Sequence, residues 1–281
     1  MAGAFYYLYK FGLLPVFYFL FFFSPFIIFG IAIRLMKDRI DDILLTRFGR
    51  IPYLAFAAIG TPIHELSHLI TSLIFRHKIR KFSLFSPNDN GRLGYVEHAY
   101  DTHSIWQRVG CFFIGIAPII AGTTLLLLLI KIFMPEFHYP ALNSIPATLK
   151  IPTPGGLYDF FAYLGGDLLT LLHAFFVQAE SMQWWQIVLF FGLSLAIGGH
   201  MFPSGDDFKG MVPGLLIVYL CICATYAFII WQKVKLALIL DFYLPVAMYT
   251  ASLMLSITVI MAISLTVIGI LGFFTKIIFR D

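Results

Sequence analysis

A histidine-glutamate-x-x-histidine pattern is the feature of this sequence with the clearest chemical meaning. His64, Glu65 and His68 form it, inside the stretch AAIGTPIHELSHLITSLIF from 57 to 75. Side chains four residues apart on a helix lie one above the other, so the two imidazoles can bind one Zn²⁺ ion. Glu65 is placed to take a proton from a water that zinc acidifies. The pattern therefore predicts a zinc site suited to peptide-bond hydrolysis.

The residues around the motif indicate that this site lies in a membrane. Almost every residue from 53 to 60 and from 69 to 75 is apolar. Ionisable side chains are costly in such a segment, and those found there usually pair or carry a function. Thr61 and Pro62 offer a helix start just before the motif, while an unbroken helix from Pro52 is the alternative. Both versions place the zinc site within the membrane.

A third ligand must come from elsewhere, because catalytic zinc usually has three protein ligands and a water. The stretch HMFPSGDDFKG, from 200 to 210, lies between two apolar runs, and its proline and glycines bring carboxylates to a helix start. We therefore expect Asp206 or Asp207 to enter the site, and spacing alone does not separate them. The other candidates are Glu180, His173, His200, His98 and His103.

The composition defines the class of protein that must position these residues. Of 281 residues, 60% are hydrophobic and 12% are charged, whereas soluble domains have about a quarter charged residues. The chain is expected to be one integral membrane domain over 1–281, in contact with the lipid bilayer. The net charge of +4 is small, and the basic residues fall mostly in short segments between apolar runs, which suits lipid headgroups and not nucleic acid.

Apolar runs of about 20 residues, long enough to span a bilayer, number six. A seventh stretch, 157–179, contains Asp159 and Asp167 and fits an interfacial helix as well as a span. The expected fold is an all-α polytopic membrane protein with six transmembrane helices, or seven if this stretch also crosses. The six runs are 11–33, 52–75, 105–132, 184–202, 211–231 and 242–274.

Three connections between these runs have distinct patterns. The basic segment 34–50 is predicted to be a loop. Residues 82–98 alternate in polarity on either side of the turn sequence PNDNG, which predicts a β-hairpin directly after the motif. Residues 134–156 contain five prolines and predict an irregular connection.

Together these features resemble the site-2 protease family of intramembrane zinc metalloproteases. The resemblance covers roughly residues 52–231, taken as the protease core, and rests on the HELSH motif, the hairpin and GIAPIIAG at 115–122. It implies that His64 and His68 bind zinc, that Glu65 is the general base, and that the substrate is a membrane protein with a transmembrane helix.

The resemblance also bears on two open points. The family's Leu-Asp-Gly is missing, and PSGDDFKG is more similar to a Ser-x-x-Asp-x-x-Gly variant, which favours Asp207 over Asp206. The family's edge strand implies that the hairpin binds extended substrate, through Phe82, Leu84, Leu93 and Tyr95. The compact chain suggests a bacterial inner membrane, and no oligomeric state is predicted.

Two other functions compete with intramembrane proteolysis. One is a membrane-anchored zinc protease whose site faces water and cuts soluble segments, with Glu180 as third ligand. The apolar flanks of the motif disfavour an aqueous site. The other is a metal-binding membrane protein without catalysis, such as a metal transporter. A transporter is expected to contain an internal repeat with broken segments in both halves, and the sequence has no such repeat.

Overall fold

The described part of the chain is mostly helical. A computed structural model describes residues 13–87, 93–135, 154–232 and 236–278. Two short strands, β1 (Lys78–Ser83) and β2 (Tyr95–Ala99), follow the second helix. The predicted combination of a helical membrane protein with a small β element is confirmed at this level. The helices are α1 (Leu14–Ile43), α2 (Arg50–Ile74), α3 (Ile105–Phe133), α4 (Pro154–Ser181), α5 (Trp184–His200), α6 (Gly205–Trp231) and α7 (Leu236–Ile278).

Among the described residues, five helical segments are long and apolar enough to cross a membrane, which makes the chain a multi-pass integral membrane protein. The ambiguous stretch 157–179 is among them. Helix α2 is not, because the polar motif lowers its hydropathy, and α5 has only 17 residues. The total of six or seven spans therefore stays a prediction. The five segments are Leu14–Phe48, Ile105–Phe133, Tyr158–Ser181, Gly205–Ile229 and Leu244–Ile277.

The basic segment 34–50 is helical, so the predicted loop is wrong. Helix α1 continues through it and ends in a π-helical turn, Leu44–Phe48. Basic and acidic side chains are interspersed here, and Lys37 pairs with Asp41 one turn later, which supports a helix. Gly49 alone separates this turn from α2, with a φ of +88° that glycine adopts more readily than any other residue.

One compact unit comprises residues 1–30, 137–177 and 218–256. In its described part, Phe21 of α1 meets Phe160 of α4 edge-on, with ring centroids 5.0 Å apart. Ala247, Met248 and Ala251 of α7 are buried against this pair. The unit also buries the carboxyl group of Asp167, to which the Ser252 hydroxyl donates a hydrogen bond.

The second unit comprises residues 31–136, 178–217 and 257–281, and α2, α3 and α5 pack against one another within it. Helices α2 and α5 approach closely at Gly60, where an added Cβ would lie 2.1 Å from the carbonyl oxygen of Ala196. Small residues let helix backbones approach in this way. The packing brings the end of α5 and the start of α6 to the motif on α2.

The two strands form an antiparallel sheet in which Phe82 pairs with Val96 and Ser83 with Tyr95. Strand β1 begins at Lys78, four residues before the predicted start at 82. Arg76 adopts a left-handed turn directly after α2, with φ of 59°, so the chain reverses and pairs at once. The predicted turn sequence falls mainly on 88–92, and most of the proline-rich connection falls on 136–153. Both lie outside the described residues.

Candidate metal centre

Three side chains from two helices meet at one point in the second unit. The Nε2 atoms of His64 and His68, both on α2, are 3.0 Å apart. The Asp207 carboxylate, near the start of α6, lies 3.3 Å from His68 Nε2 and 3.5 Å from His64 Nε2. Within the described ranges, these three form the one group of histidine, cysteine and acidic side chains close enough to share a metal ion.

Helix α2 runs unbroken through Thr61 and Pro62, so the second of the two predicted helix starts applies. The motif consequently lies in the interior of the helix, with the two histidines one turn apart and their ring centroids 4.7 Å apart. His68 and Glu65 are buried, and His64 is nearly so. The unbroken helix fixes the relative position of the two rings.

The outer ring nitrogens of both histidines are held by main-chain carbonyls. His64 Nδ1 lies 2.6 Å from the carbonyl oxygen of His200, and His68 Nδ1 lies 2.9 Å from that of Ile114. A carbonyl oxygen only accepts, so each Nδ1 carries the hydrogen and each neutral ring presents an Nε2 lone pair. Metal-binding histidines are usually oriented by such a bond.

The result is a cluster of hydrogen-bond acceptors facing one another. Two Nε2 lone pairs and a carboxylate converge, and neither imidazole offers the others a donor. While both rings are neutral, a cation between these acceptors, either a metal ion or a shared proton, would satisfy all three groups. Zinc bonds of about 2.0–2.1 Å in tetrahedral geometry separate ligand atoms by roughly 3.3 Å. The two Nε2 atoms are 3.0 Å apart, and the Asp207 carboxylate lies 3.3 Å from one, through Oδ1, and 3.5 Å from the other, through Oδ2. These separations are close to that value, so the residues fit a zinc-sized ion.

Asp207 is held in place by the start of its own helix. The Ser204 backbone N–H donates to Asp207 Oδ2 at 2.7 Å, and the Asp207 N–H donates to Ser204 Oγ at 3.2 Å. This reciprocal pair is a capping box with aspartate at the third helical position. Asp206 instead has a 92% exposed side chain and lies 3.4 Å from the Lys209 ammonium. The structure thus brings Asp207, and not Asp206, to the histidines.

The remaining predicted ligands lie outside this group of three. Glu180 and His103 are exposed, at the end of α4 and before α3 respectively. His173 is exposed in the other compact unit. His200 contributes its main-chain carbonyl to the centre instead of its ring.

The hairpin packs directly against the motif. At Gly94, just before β2, an added Cβ would lie 2.8 Å from Glu65 Cγ and 2.9 Å from Thr61 Cγ2. Only glycine permits this approach of the hairpin backbone to the helix. The predicted general base is therefore covered by the end of the hairpin that leads into β2.

A cavity of about 750 Å³ joins these elements. The motif and Asp207 line it, together with Leu93 and Tyr95. Phe82 and Leu84, the other two predicted substrate-binding residues, do not line it. Phe82 is on β1, with 53% of its surface exposed. The cavity therefore adjoins the β2 side of the hairpin.

The sequence did not predict the roles of several residues around the three ligands. Ser204 had a detectable signal, because a serine three residues before an acid at a helix start is a capping pattern. The carbonyls of His200 and Ile114 had none, since any residue type supplies a carbonyl. Gly60 and Gly94 are two of 22 glycines, and nothing local distinguishes them.

Comparison of the chain with protein-family models, with curated proteins and with solved structures finds no match.

Proposed function

We propose that this chain is an intramembrane zinc metalloprotease that hydrolyses a peptide bond in or near a transmembrane segment of a membrane protein. The observation that carries the proposal is the arrangement at His64, His68 and Asp207. Two Nε2 lone pairs and a carboxylate converge with spacings close to those of tetrahedral zinc ligands. A glutamate lies beside the first histidine on the same helix.

Zinc is the proposed metal because two imidazoles and one carboxylate are a donor set that it commonly uses. Three protein ligands leave one position open, as in catalytic zinc sites. Bound there, the ion would polarise a carbonyl group and lower the pKa of a water.

The protein's own residues supply the rest of the proposed mechanism. Glu65 takes a proton from the attacking water and then donates it to the nitrogen of the departing amine. Ser204 keeps the Asp207 carboxylate aimed at the histidines. The buried position of Glu65, 9% exposed beneath the hairpin, limits the access of bulk water to the base.

The proposed substrate binds as an extended chain along the hairpin. Residues of β2 and the segment before it line the cavity, including Leu93, Tyr95 and Val96. An extended peptide can add to a strand edge through main-chain hydrogen bonds. A transmembrane helix would therefore have to unwind locally to reach the site. We assign substrate contact to Leu93 and Tyr95 and not to Phe82 and Leu84.

Membrane substrates are favoured over soluble ones by the surroundings of the centre. Helix α2 is mostly apolar on both sides of the motif, and α5, which packs on it, is mostly apolar as well. We include α2 and α5 among the spans, which gives seven with the five apolar segments. The bacterial inner membrane stays a prediction.

The experiment that tests the function is a cleavage assay with the wild type and the Glu65→Gln variant. Both are reconstituted in liposomes with a panel of single-span membrane proteins, each labelled on both sides of its span. The wild type should cleave at least one panel member. The variant should keep its zinc and its fold but lose cleavage, because the amide cannot take a proton from water.

Two results would contradict the proposal. Equal cleavage by both proteins would remove Glu65 as the base. Zinc-loaded wild type that cleaves no panel member, yet moves zinc into the liposomes, would identify a transporter. Metal content measured on the same samples keeps loss of zinc from being mistaken for loss of the base.

A further inference from the structure

A second pair of histidines lies beside the metal centre and takes no part in it. His77 follows α2, and His98 is in β2, and their Nδ1 atoms are 2.9 Å apart. His77 is 4% exposed and stacks on the ring of Tyr100, with centroids 5.4 Å apart. His98 is half-buried and lines the same cavity as His68 and Asp207.

The contacts of His77 determine which nitrogen of His98 carries the hydrogen. His77 Nε2 lies 2.8 Å from the carbonyl oxygen of Gln107, which only accepts, so this nitrogen must be the N–H. A neutral imidazole has a single N–H, so His77 Nδ1 is an acceptor. The hydrogen between the two Nδ1 atoms then belongs to His98. The Nε2 atom of His98 is left with a lone pair.

Two further observations concern this lone pair. His98 Nε2 has no hydrogen-bond partner among the residues that the structure describes. It is also not one of the polar atoms that are buried without a partner, so part of its surface is exposed. Burial first, and the neighbouring His77 ring second, lower the pKa of His98 to about 4. At neutral pH the ring is therefore uncharged and its free nitrogen can only accept.

We propose that His98 Nε2 positions the substrate chain by accepting a hydrogen bond from one of its backbone N–H groups. This inference rests on the proposed protease function. An acceptor selects a donor, so this atom does not stabilise the oxyanion of a carbonyl under attack, which requires N–H or O–H donors. An extended peptide in the cavity presents backbone N–H groups at regular intervals. His77 fixes the tautomer and is a positioning residue.

Two substitutions separate the two nitrogens of His98. In His98→Asn the amide N–H replaces Nδ1 and can still donate to His77, but nothing replaces Nε2. In His98→Gln the carboxamide oxygen reaches the position of Nε2 and accepts there, but the bond to His77 is lost. The substrate is a single-span protein from the panel that the wild type cleaves. Zinc content is measured for all three proteins.

We expect KM for His98→Asn to rise about three- to tenfold, the value of one hydrogen bond, with kcat within about twofold of the wild type. His98→Gln should have a KM closer to the wild type, and all three should hold the same amount of zinc. If His98 merely supports the hairpin through His77, the order reverses: Asn resembles the wild type and Gln is impaired. That order, or a wild-type KM in both variants, overturns the inference.

The assignment of the hydrogen is tested separately by ¹⁵N NMR of histidine-labelled protein at pH 7. The expected spectrum has His98 protonated at Nδ1 only, and protonation at Nε2 would overturn the inference without any assay. If the zinc-loaded wild type cleaves nothing, the proposed function falls and this inference with it. If the wild type cleaves and the variant results contradict those expected, the inference alone falls.

Discussion

Two aspartates of this protein, one buried and one partly buried, have opposite kinds of partner for their carboxyl groups. Asp167 accepts hydrogen bonds from the hydroxyls of Ser252 and Tyr163. Asp207 faces the Nε2 atoms of two imidazoles, which carry no hydrogen while the rings are neutral, and it accepts a backbone hydrogen bond from Ser204. Hydroxyl donors satisfy the acceptor oxygens of a carboxyl group without any ion. Two neutral imidazoles offer no such donor, so the proposed function assigns a cation to the Asp207 site and none to the Asp167 site.

The type of partner, and not the degree of burial, distinguishes the polar contact at Asp167 from the proposed metal site at Asp207. Asp167 is the more buried residue, at 5% exposed, whereas the side chain of Asp207 is 21% exposed. Buried acids in membrane helices are usually suspected of function. Here the less buried acid, Asp207, is the one that has fewer hydrogen-bond donors around its carboxylate.

Removal of metal should produce the largest difference between the two sites. With free zinc at about a thousand times its dissociation constant, binding stabilises the fold by about 4 kcal/mol. A chelator should lower the free energy of unfolding of the wild type by that amount, and of Asp167→Asn equally. Asp207→Ala should hardly respond, because it starts without the ion. Unfolding in mixed micelles measures this, and a chelator-sensitive Asp207→Ala would contradict it.

Gly60 should be the residue at which a single methyl group most disturbs the metal centre. In Gly60→Ala the new Cβ meets the Ala196 carbonyl at 2.1 Å and His200 Nδ1 at 2.3 Å. Separating α2 from α5 moves the carbonyl that holds His64. We expect a loss of about 1–3 kcal/mol in stability, as for overpacked cores, together with weaker zinc binding.

Gly165 is the matched control, because an added Cβ there meets nothing within 4 Å. Gly165→Ala, on α4, should be neutral or slightly stabilising, since alanine is the better helix former. Equal effects of the two substitutions on zinc affinity would show that the contact at Gly60 does not support the centre.

The serines beside the two aspartates should differ in what they support. Ser204→Ala removes the Ser204 Oγ that accepts from the Asp207 N–H, while the backbone donor to the carboxylate remains. It should weaken zinc binding by no more than about tenfold, through a looser helix start at Asp207. Ser252→Ala removes the hydroxyl donor to Asp167 and should lower stability by about 1 kcal/mol. Zinc affinity in Ser252→Ala should equal that of the wild type. Competition with a fluorescent chelator measures both affinities, and the reverse pattern would break the comparison.

The smallest expected effect is that of Asp167→Asn. The carboxamide oxygen still accepts from Ser252, so stability should fall by less than about 1 kcal/mol, the usual range for polar contacts between membrane helices. Zinc content should be unchanged. Loss of zinc in this variant would mean that the metal centre depends on Asp167 as well.

The sequence predicts the parts of this structure that depend on local spacing. His64, Glu65 and His68 are one turn apart on a helix by residue count alone, and the hairpin follows from alternation and turn residues. The family resemblance favoured Asp207, which the structure brings to the histidines. Each of these features depends either on residues close together in the sequence or on a residue type that the sequence states directly.

The rest depends on contacts that no pattern encodes. The His64 ring is held by a main-chain carbonyl 136 residues away. Every residue type has such a carbonyl, so the sequence does not mark this one. The segment 34–50 is charged enough to suggest a loop, yet it is helical, and Lys37 and Asp41 pair one turn apart along it. The side of the hairpin that meets the cavity is set at Gly94, by its fit against Glu65 and Thr61.

The central claim is that Asp207, and not its neighbour, completes a zinc centre with the two histidines. Elemental analysis of the purified wild type, Asp206→Ala and Asp207→Ala tests it most directly, since the two variants remove the same group from adjacent positions. We predict equal zinc in the wild type and Asp206→Ala, and almost none in Asp207→Ala. Zinc retained by Asp207→Ala, or absent from the wild type after purification with zinc, would contradict the account.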